Sequence, residues 1–250
     1  MRLGRRTLTT LLALAFIGSN LNLASAHQPV NLTAANSSAD KGPILVDGKV
    51  SFVIRANFSK PNQTQGFRAA LQAGETLYFE YLIIDKAPEN KLAKNKLPVA
   101  TITDPAGKKM VIKFTERTKF YYPFLDTNFL YLAKYNQTAL DGIYKFTLQS
   151  KVKAAIQVVV GTLETYGEVL SPATCPAWVK PIGEVKIMPA YAEGLVGMKK
   201  EAAASCAEKL GWLYRIGQED NQMFALTKDY RLDRITVSIE KGLITQSLVG

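Results

Sequence analysis

The sequence predicts a mainly β protein, a β-sandwich followed by a small α+β module. Between residues 44 and 167, short runs of β-branched and aromatic residues recur at intervals of about a dozen residues, with turn signals between them. Residues 168–189 carry Pro172, Pro176, Pro181 and Pro189, the composition of a linker. Past that stretch the period changes to one helix and a few short strands.

Arg2, Arg5 and Arg6 precede an apolar run from Leu11 to Ile17, and Ala24-Ser25-Ala26 supplies the small residues that a signal peptidase accepts. Residues 1–26 are therefore expected to be a signal peptide, with His27 first in the mature chain and a periplasmic or secreted destination. The run is shorter than the about 20 residues a membrane-spanning helix needs. Thr7 to Thr10 fit a twin-arginine signal poorly, so the general secretory route is expected. No cysteine follows Ala26 to carry a lipid, and no later segment is long and apolar enough to span a bilayer. Residues 27–43, rich in Asn, Ser, Thr and Ala with Pro29 and Pro43, read as a flexible leader.

Strands are expected at Val50–Ile54, Thr76–Ile83, Val99–Thr103, Met110–Phe114, Asn128–Tyr135, Gly142–Leu148 and Ala155–Thr162. Gln72-Ala73-Gly74, Asp104-Pro105-Ala106-Gly107 and Leu140-Asp141-Gly142 mark turns. Such a run of short strands predicts an antiparallel, immunoglobulin-like β-sandwich over 44–167. In the module, 190–250, strong helix formers from Lys199 to Leu210 end at Gly211. Leu213–Ile216 and Ile235–Ile239 alternate like strands, and Lys241-Gly242 turns the chain into Leu243–Leu248.

The formal charge is +10, of which Arg2, Arg5 and Arg6 supply three. A surplus of this kind favours anionic surfaces and acidic partners. With no nucleic-acid motif in the chain, it reads first as a solvated basic surface, and no nucleic-acid partner is expected. Cys175 and Cys206 are the only cysteines, and in an oxidising compartment they are expected to pair. Closing a loop of about 30 residues contributes roughly 3–4 kcal/mol in the chain-entropy account.

Catalytic sets fail one after another. A Ser–His–Asp triad needs a histidine within the fold, and His27 is the only one. No spacing of His, Cys or carboxylates suits zinc, and no glycine-rich phosphate loop occurs. A copper oxygenase would need a second histidine beside His27. The expectation is a protein that is not an enzyme and carries no metal or cofactor.

The C-terminal segment does hold a pattern. After Gly194-Leu195-Val196-Gly197 and the helix comes a polar loop. Then follow Thr227-Lys228-Asp229-Tyr230-Arg231, Asp233-Arg234-Ile235-Thr236-Val237 and a final Val249-Gly250. Over Glu193 to Gly250 this resembles the potato inhibitor I, or eglin-like, superfamily of serine-protease inhibitors, and most closely a short branch with the pattern T-x-D-Y-R-x-D-R-[LI]-x-V. The resemblance implies an eglin-like module in which a substrate-like loop around Thr227, Lys228 and Asp229 enters a protease. The scissile bond would then follow Lys228. Arg231 and Arg234 would brace the loop, with Asp229 and the Thr227 carbonyl as acceptors. A lysine at the primary position implies a trypsin-like target. The branch usually pairs a cysteine near its start with one just before the terminal glycine; here Val249 holds that late position.

Set against this is a non-inhibitory binding protein, in which the sandwich grips an envelope protein or a glycan and the module is a structural cap. Phe120-Tyr121-Tyr122-Pro123-Phe124 and Phe129-Leu130-Tyr131 are the aromatic clusters such a protein would use, if they are exposed.

Overall fold

The computed structural model describes residues 27–177 and 186–250. The expected signal peptide and the middle of the expected linker, 178–185, lie outside the described residues. The chain is mainly β, as its pattern predicts.

The larger part runs β1 (Gln28–Asn31), β2 (Ile44–Leu45), β3 (Phe52–Phe58), β4 (Thr64–Leu71), β5 (Thr76–Ile84), β6 (Val99–Thr103), β7 (Lys109–Val111), β8 (Thr118–Tyr122), β9 (Thr127–Thr138), β10 (Gly142–Gln149), β11 (Ala154–Val160) and β12 (Val169–Leu170). They form two six-stranded sheets, β1-β3-β11-β5-β9-β8 and β12-β2-β4-β10-β6-β7. Alternation explains why the sheets face each other. Phe52 and Ile54 of β3 and Phe79 and Tyr81 of β5 point towards Phe67 and Ala69 of β4 and Tyr144 and Phe146 of β10, into one shared core. Phe146 stacks on Phe67 with ring centroids 4.4 Å apart and reaches Phe79 of the opposite sheet at 6.0 Å. Burying a ring of this size contributes about 1.5–3 kcal/mol.

Pairing is not uniformly antiparallel: β1–β3 and β2–β4 run parallel. The segment expected as a flexible leader supplies β1, whose register sets Gln28 to Asn31 against Phe52 to Arg55. Leu32 behind it is buried.

The smaller part comprises α1 (Pro189–Glu193), α2 (Lys200–Leu210), β13 (Leu213–Glu219), β14 (Gln222–Met223), β15 (Arg234–Glu240) and β16 (Leu243–Val249). Its sheet has the order β14-β13-β15-β16, with β13 and β15 parallel. Ala203, Cys206 and Ala207 of α2 pack on Trp212, Ile235, Val237, Ile239 and Ile244. Gly211, with φ of 72°, ends the helix in the left-handed turn that glycine adopts without cost. Cys206 is bonded to Cys175.

The two parts touch through the outer face of β4. Arg68, fully buried, puts Nη1 2.7 Å from Glu193 Oε1 at the end of α1 and donates from Nη2 to the Gly42 carbonyl at 3.2 Å. Ile44, Val46, Ala70, Leu170 and Ala190 form an apolar cluster beside it, with Met188 and Tyr191 against it. Tyr191 donates its hydroxyl to Glu168 at 2.6 Å, and burial followed by this bond pushes the phenol up from its usual range.

Removing one member of such a pair strands the other charge. Arg68→Met should therefore cost about 3–5 kcal/mol in urea unfolding. Replacing Glu193 by Leu in the same molecule should restore most of that loss, because two apolar side chains strand nothing. A double variant as unstable as the single would show that the contact matters by shape and not by charge.

Candidate functional site

Every residue from Asn221 to Leu232 is exposed. The segment leaves β14 and has no regular secondary structure from Phe224 to Arg231, with a bend at Lys228. Both ends are pinned by backbone. At one, the Phe224 amide donates to the Gly217 carbonyl at 3.0 Å. At the other, Leu232 O accepts from the Ile187 amide at 2.8 Å and Asp233 O from the Leu213 amide at 2.9 Å. Gly217 makes the first pin workable. It sits where the β13–β15 register shifts, and a side chain there would come within 3.1 Å of the Thr236 methyl.

Between the pins the loop is held by two guanidiniums. Arg215, on β13 opposite Thr236 of β15, donates to the Thr227 hydroxyl at 3.2 Å, with the Thr227 carbonyl at 3.4 Å. Arg234, the first residue of β15 and itself buried, donates to Asp229 Oδ2 at 2.9 Å and to the Asp229 carbonyl at 2.5 Å. One atom sets both arginines in place. Gly250 O accepts from Arg215 Nη2 at 3.2 Å, Arg234 Nε at 3.0 Å and Thr236 Oγ1 at 2.7 Å. Bonds from a guanidinium to a carboxylate or carbonyl are shorter and stronger than neutral ones.

The arrangement turns Thr227 and Asp229 back to the sheet and leaves the residue between them outside. Among the described residues the Lys228 side chain has no hydrogen-bond or ion-pair partner. Of the residues singled out in the sequence, Thr227, Lys228, Asp229 and Arg234 thus come together. Arg231 does not join them: its guanidinium is spent on Asp233, in a two-bond contact at 3.0 and 2.8 Å. The residue the sequence reading missed is Arg215. It lies within the expected strand Leu213–Ile216, but only the parallel register of β13 on β15 shows that it faces the loop. The disulfide from Cys206 anchors α2, on the same module, to Cys175.

Past the bend, Tyr230 lays its ring against Gly250, where even a Cβ would clash at 2.9 Å. Tyr230 and Leu232 also line a cleft of about 290 Å³ whose far wall is the two-sheet body, at Val46, Gln72 and Asp141. Among the described residues no cluster of three or more His, Cys, Asp or Glu is placed to hold a metal ion, and no helix is long and apolar enough to cross a membrane. No family model and no curated protein matches the sequence, so what the loop can do has to be read from its geometry.

The Thr227 hydroxyl, and after it the Arg234 guanidinium, hold the Asp229 carboxyl down to about 2 from an ordinary 3.8. A depressed carboxylate contributes its stabilisation in full above the ordinary value and loses it as pH falls through the depressed one. The Arg234–Asp229 brace should therefore stay intact at pH 4 and release as the pH falls through about 2. Carboxyl-carbon NMR titration reads this directly, and Arg234→Ala should move the Asp229 midpoint up towards 3.8. A wild-type midpoint at the ordinary value would mean that the brace is not populated in solution.

Proposed function

We propose that this loop is the bait of a serine-protease inhibitor acting as a substrate mimic, with Lys228 in the primary pocket and the bond from Lys228 to Asp229 presented for attack. What carries the reading is the bracing: an exposed bend with its central side chain free and both neighbours tied back by arginines. A protease holds its substrate in an extended shape, and a peptide loses conformational freedom to take it. A loop already fixed on a sheet avoids most of that loss. The same bracing hinders cleavage, because the two ends of a cut bond cannot drift apart while Arg215 holds one side and Arg234 the other.

Two further observations support it. The residue pattern from Thr227 to Val237 resembles the eglin-like superfamily, and the arginines sit on strands that flank the loop. A lysine fits a pocket with an acidic residue at its base, so the proposed target is a trypsin-like serine protease.

Titration of trypsin-like, chymotrypsin-like and subtilisin-like enzymes with the purified protein tests this. Inhibition should be strongest for the first, and Lys228→Ala should weaken it by at least about 2 kcal/mol, roughly thirtyfold. Arg215→Ala and Arg234→Ala should act differently, turning the protein into a substrate whose cut after Lys228 is seen by mass spectrometry. Full activity of all three enzymes with micromolar protein would remove the inhibitor reading for these classes.

A further inference from the structure

We propose that the β8–β9 tip of the two-sheet body, with the lysine-rich edge beside it, docks on the surface of an anionic phospholipid bilayer. This is independent of the inhibitor reading and rests on different residues.

Charge is the first observation. From Lys86 to Lys134 the chain carries ten lysines and arginines against four carboxylates, Glu89, Asp104, Glu116 and Asp126, so this stretch supplies six of the net +10 charges. The fold gathers them. Lys94 Nζ donates to the Phe114 carbonyl at 3.3 Å, Arg117 to the Asn90 carbonyl, and Lys151 Nζ to the Asn95 carbonyl at 3.1 Å. The turns after β5 therefore lie against the segment joining β7 to β8. Lys119 and Lys134 have carboxylate partners, Asp85 at 3.2 Å and Glu80 at 3.4 Å. Lys91, Lys96, Lys109 and Lys113 are exposed and in no ion pair among the described residues. A cationic edge with so few internal partners attracts a surface of opposite charge.

The second observation is what protrudes from that edge. β8 ends one sheet and β7 ends the other. Phe120 and Tyr121 on β8 are 40% and 50% exposed, Leu125 at the turn 51%, and Val111 on β7 60%. The tip is already ordered. Pro123–Leu125 form a single tight helical turn, Asp126 closes it with φ of 45°, and Tyr121 donates its hydroxyl to Asp126 at 2.8 Å. Phe120 is backed by Tyr122 and Tyr131, and Lys134 lies over the Tyr131 ring at 4.4 Å.

Lysines alone would suit any polyanion. Aromatic and aliphatic side chains held outward among them suit a bilayer, where the cations meet headgroup phosphates and the apolar groups enter the interface below. A soluble polyanion gives Tyr121, Leu125 and Val111 nothing in which to be buried.

Vesicle flotation tests the proposal with the purified protein. It should float with phosphatidylcholine vesicles that contain phosphatidylglycerol, not with phosphatidylcholine alone, and less as salt rises. Each basic residue near such a surface adds about fivefold in affinity, so Lys109→Glu with Lys113→Glu should weaken binding at least ~10-fold. Tyr121→Ser with Leu125→Ser should weaken it too, although no charge changes. Relative to the wild type with its own two tryptophans, Leu125→Trp should add emission that shifts to the blue on anionic vesicles and not on heparin. Two results would overturn the proposal: no flotation at low salt by protein of native circular dichroism, or tight heparin binding with vesicle affinity unmoved by the Tyr121/Leu125 pair. The latter marks the edge as a surface for a soluble polyanion.

Discussion

Arg68 has no water to turn to. It sits in the middle of β4, on the face away from the aromatic core, and among the described residues its hydrogen bonds go to the Glu193 carboxylate and the Gly42 carbonyl. A guanidinium in that position is tolerable only while α1 covers it and Glu193 neutralises it. The same contact decides where the smaller part of the molecule sits. With α1 fixed on β4, the Ile44–Ala190 cluster closes and Tyr191 finds Glu168. The chain entering β15 then runs past the body, close enough for Tyr230 and Leu232 to share a cleft with Asp141. Loop, cleft and body thus take their relative places from one buried ion pair with an apolar surround.

Within the smaller part, a second economy operates. The exposed loop is long and carries no regular hydrogen bonds of its own from Phe224 to Arg231. Its order comes from outside, through the parallel neighbours β13 and β15, each of which sends an arginine across. Gly250 O holds both guanidiniums at once, and the absence of a side chain at Gly250 lets the Tyr230 ring close over it. Planar forks suit this task better than ammonium groups, since each reaches two acceptors without rotating.

Two separate surfaces result. One is the braced loop with its single outward lysine. The other, on the open edges of both sheets, is a broad cationic zone with apolar side chains standing out of it. The outer face of the first sheet has a cluster of its own: Leu82, Phe129 and Val159 are buried there, with Val53, Tyr122 and Tyr131 packed against them. This cluster stiffens the β8–β9 hairpin from behind. Under both proposals a rigid scaffold carries a surface that needs little reordering on contact.

Much of this was legible in the amino-acid sequence, and the limits follow from chemistry. The expected strands at 76–83, 99–103 and 142–148 fall on β5, β6 and β10, since alternating residues with one buried face announce their own period. The helix ending at Gly211 and the Cys175–Cys206 bond were equally readable, because cap and bond are local or have only one pairing open to them. β4 was not readable. It is buried on both faces, and Gly66, Arg68, Ala69 and Ala70 are poor strand formers that only neighbouring strands and α1 make sense of. β8 was hidden for the opposite reason, being exposed almost throughout. At the loop, the resemblance to eglin-like inhibitors singled out Thr227, Lys228, Asp229 and Arg234, residues close together along the chain. It implied Arg231 as the second brace. The brace is Arg215, brought opposite Thr236 by a parallel pairing that no local signal encodes. Sequence determined the composition of the loop; tertiary structure decided which arginines hold it, because register between distant strands is set by packing and not by the order of residues.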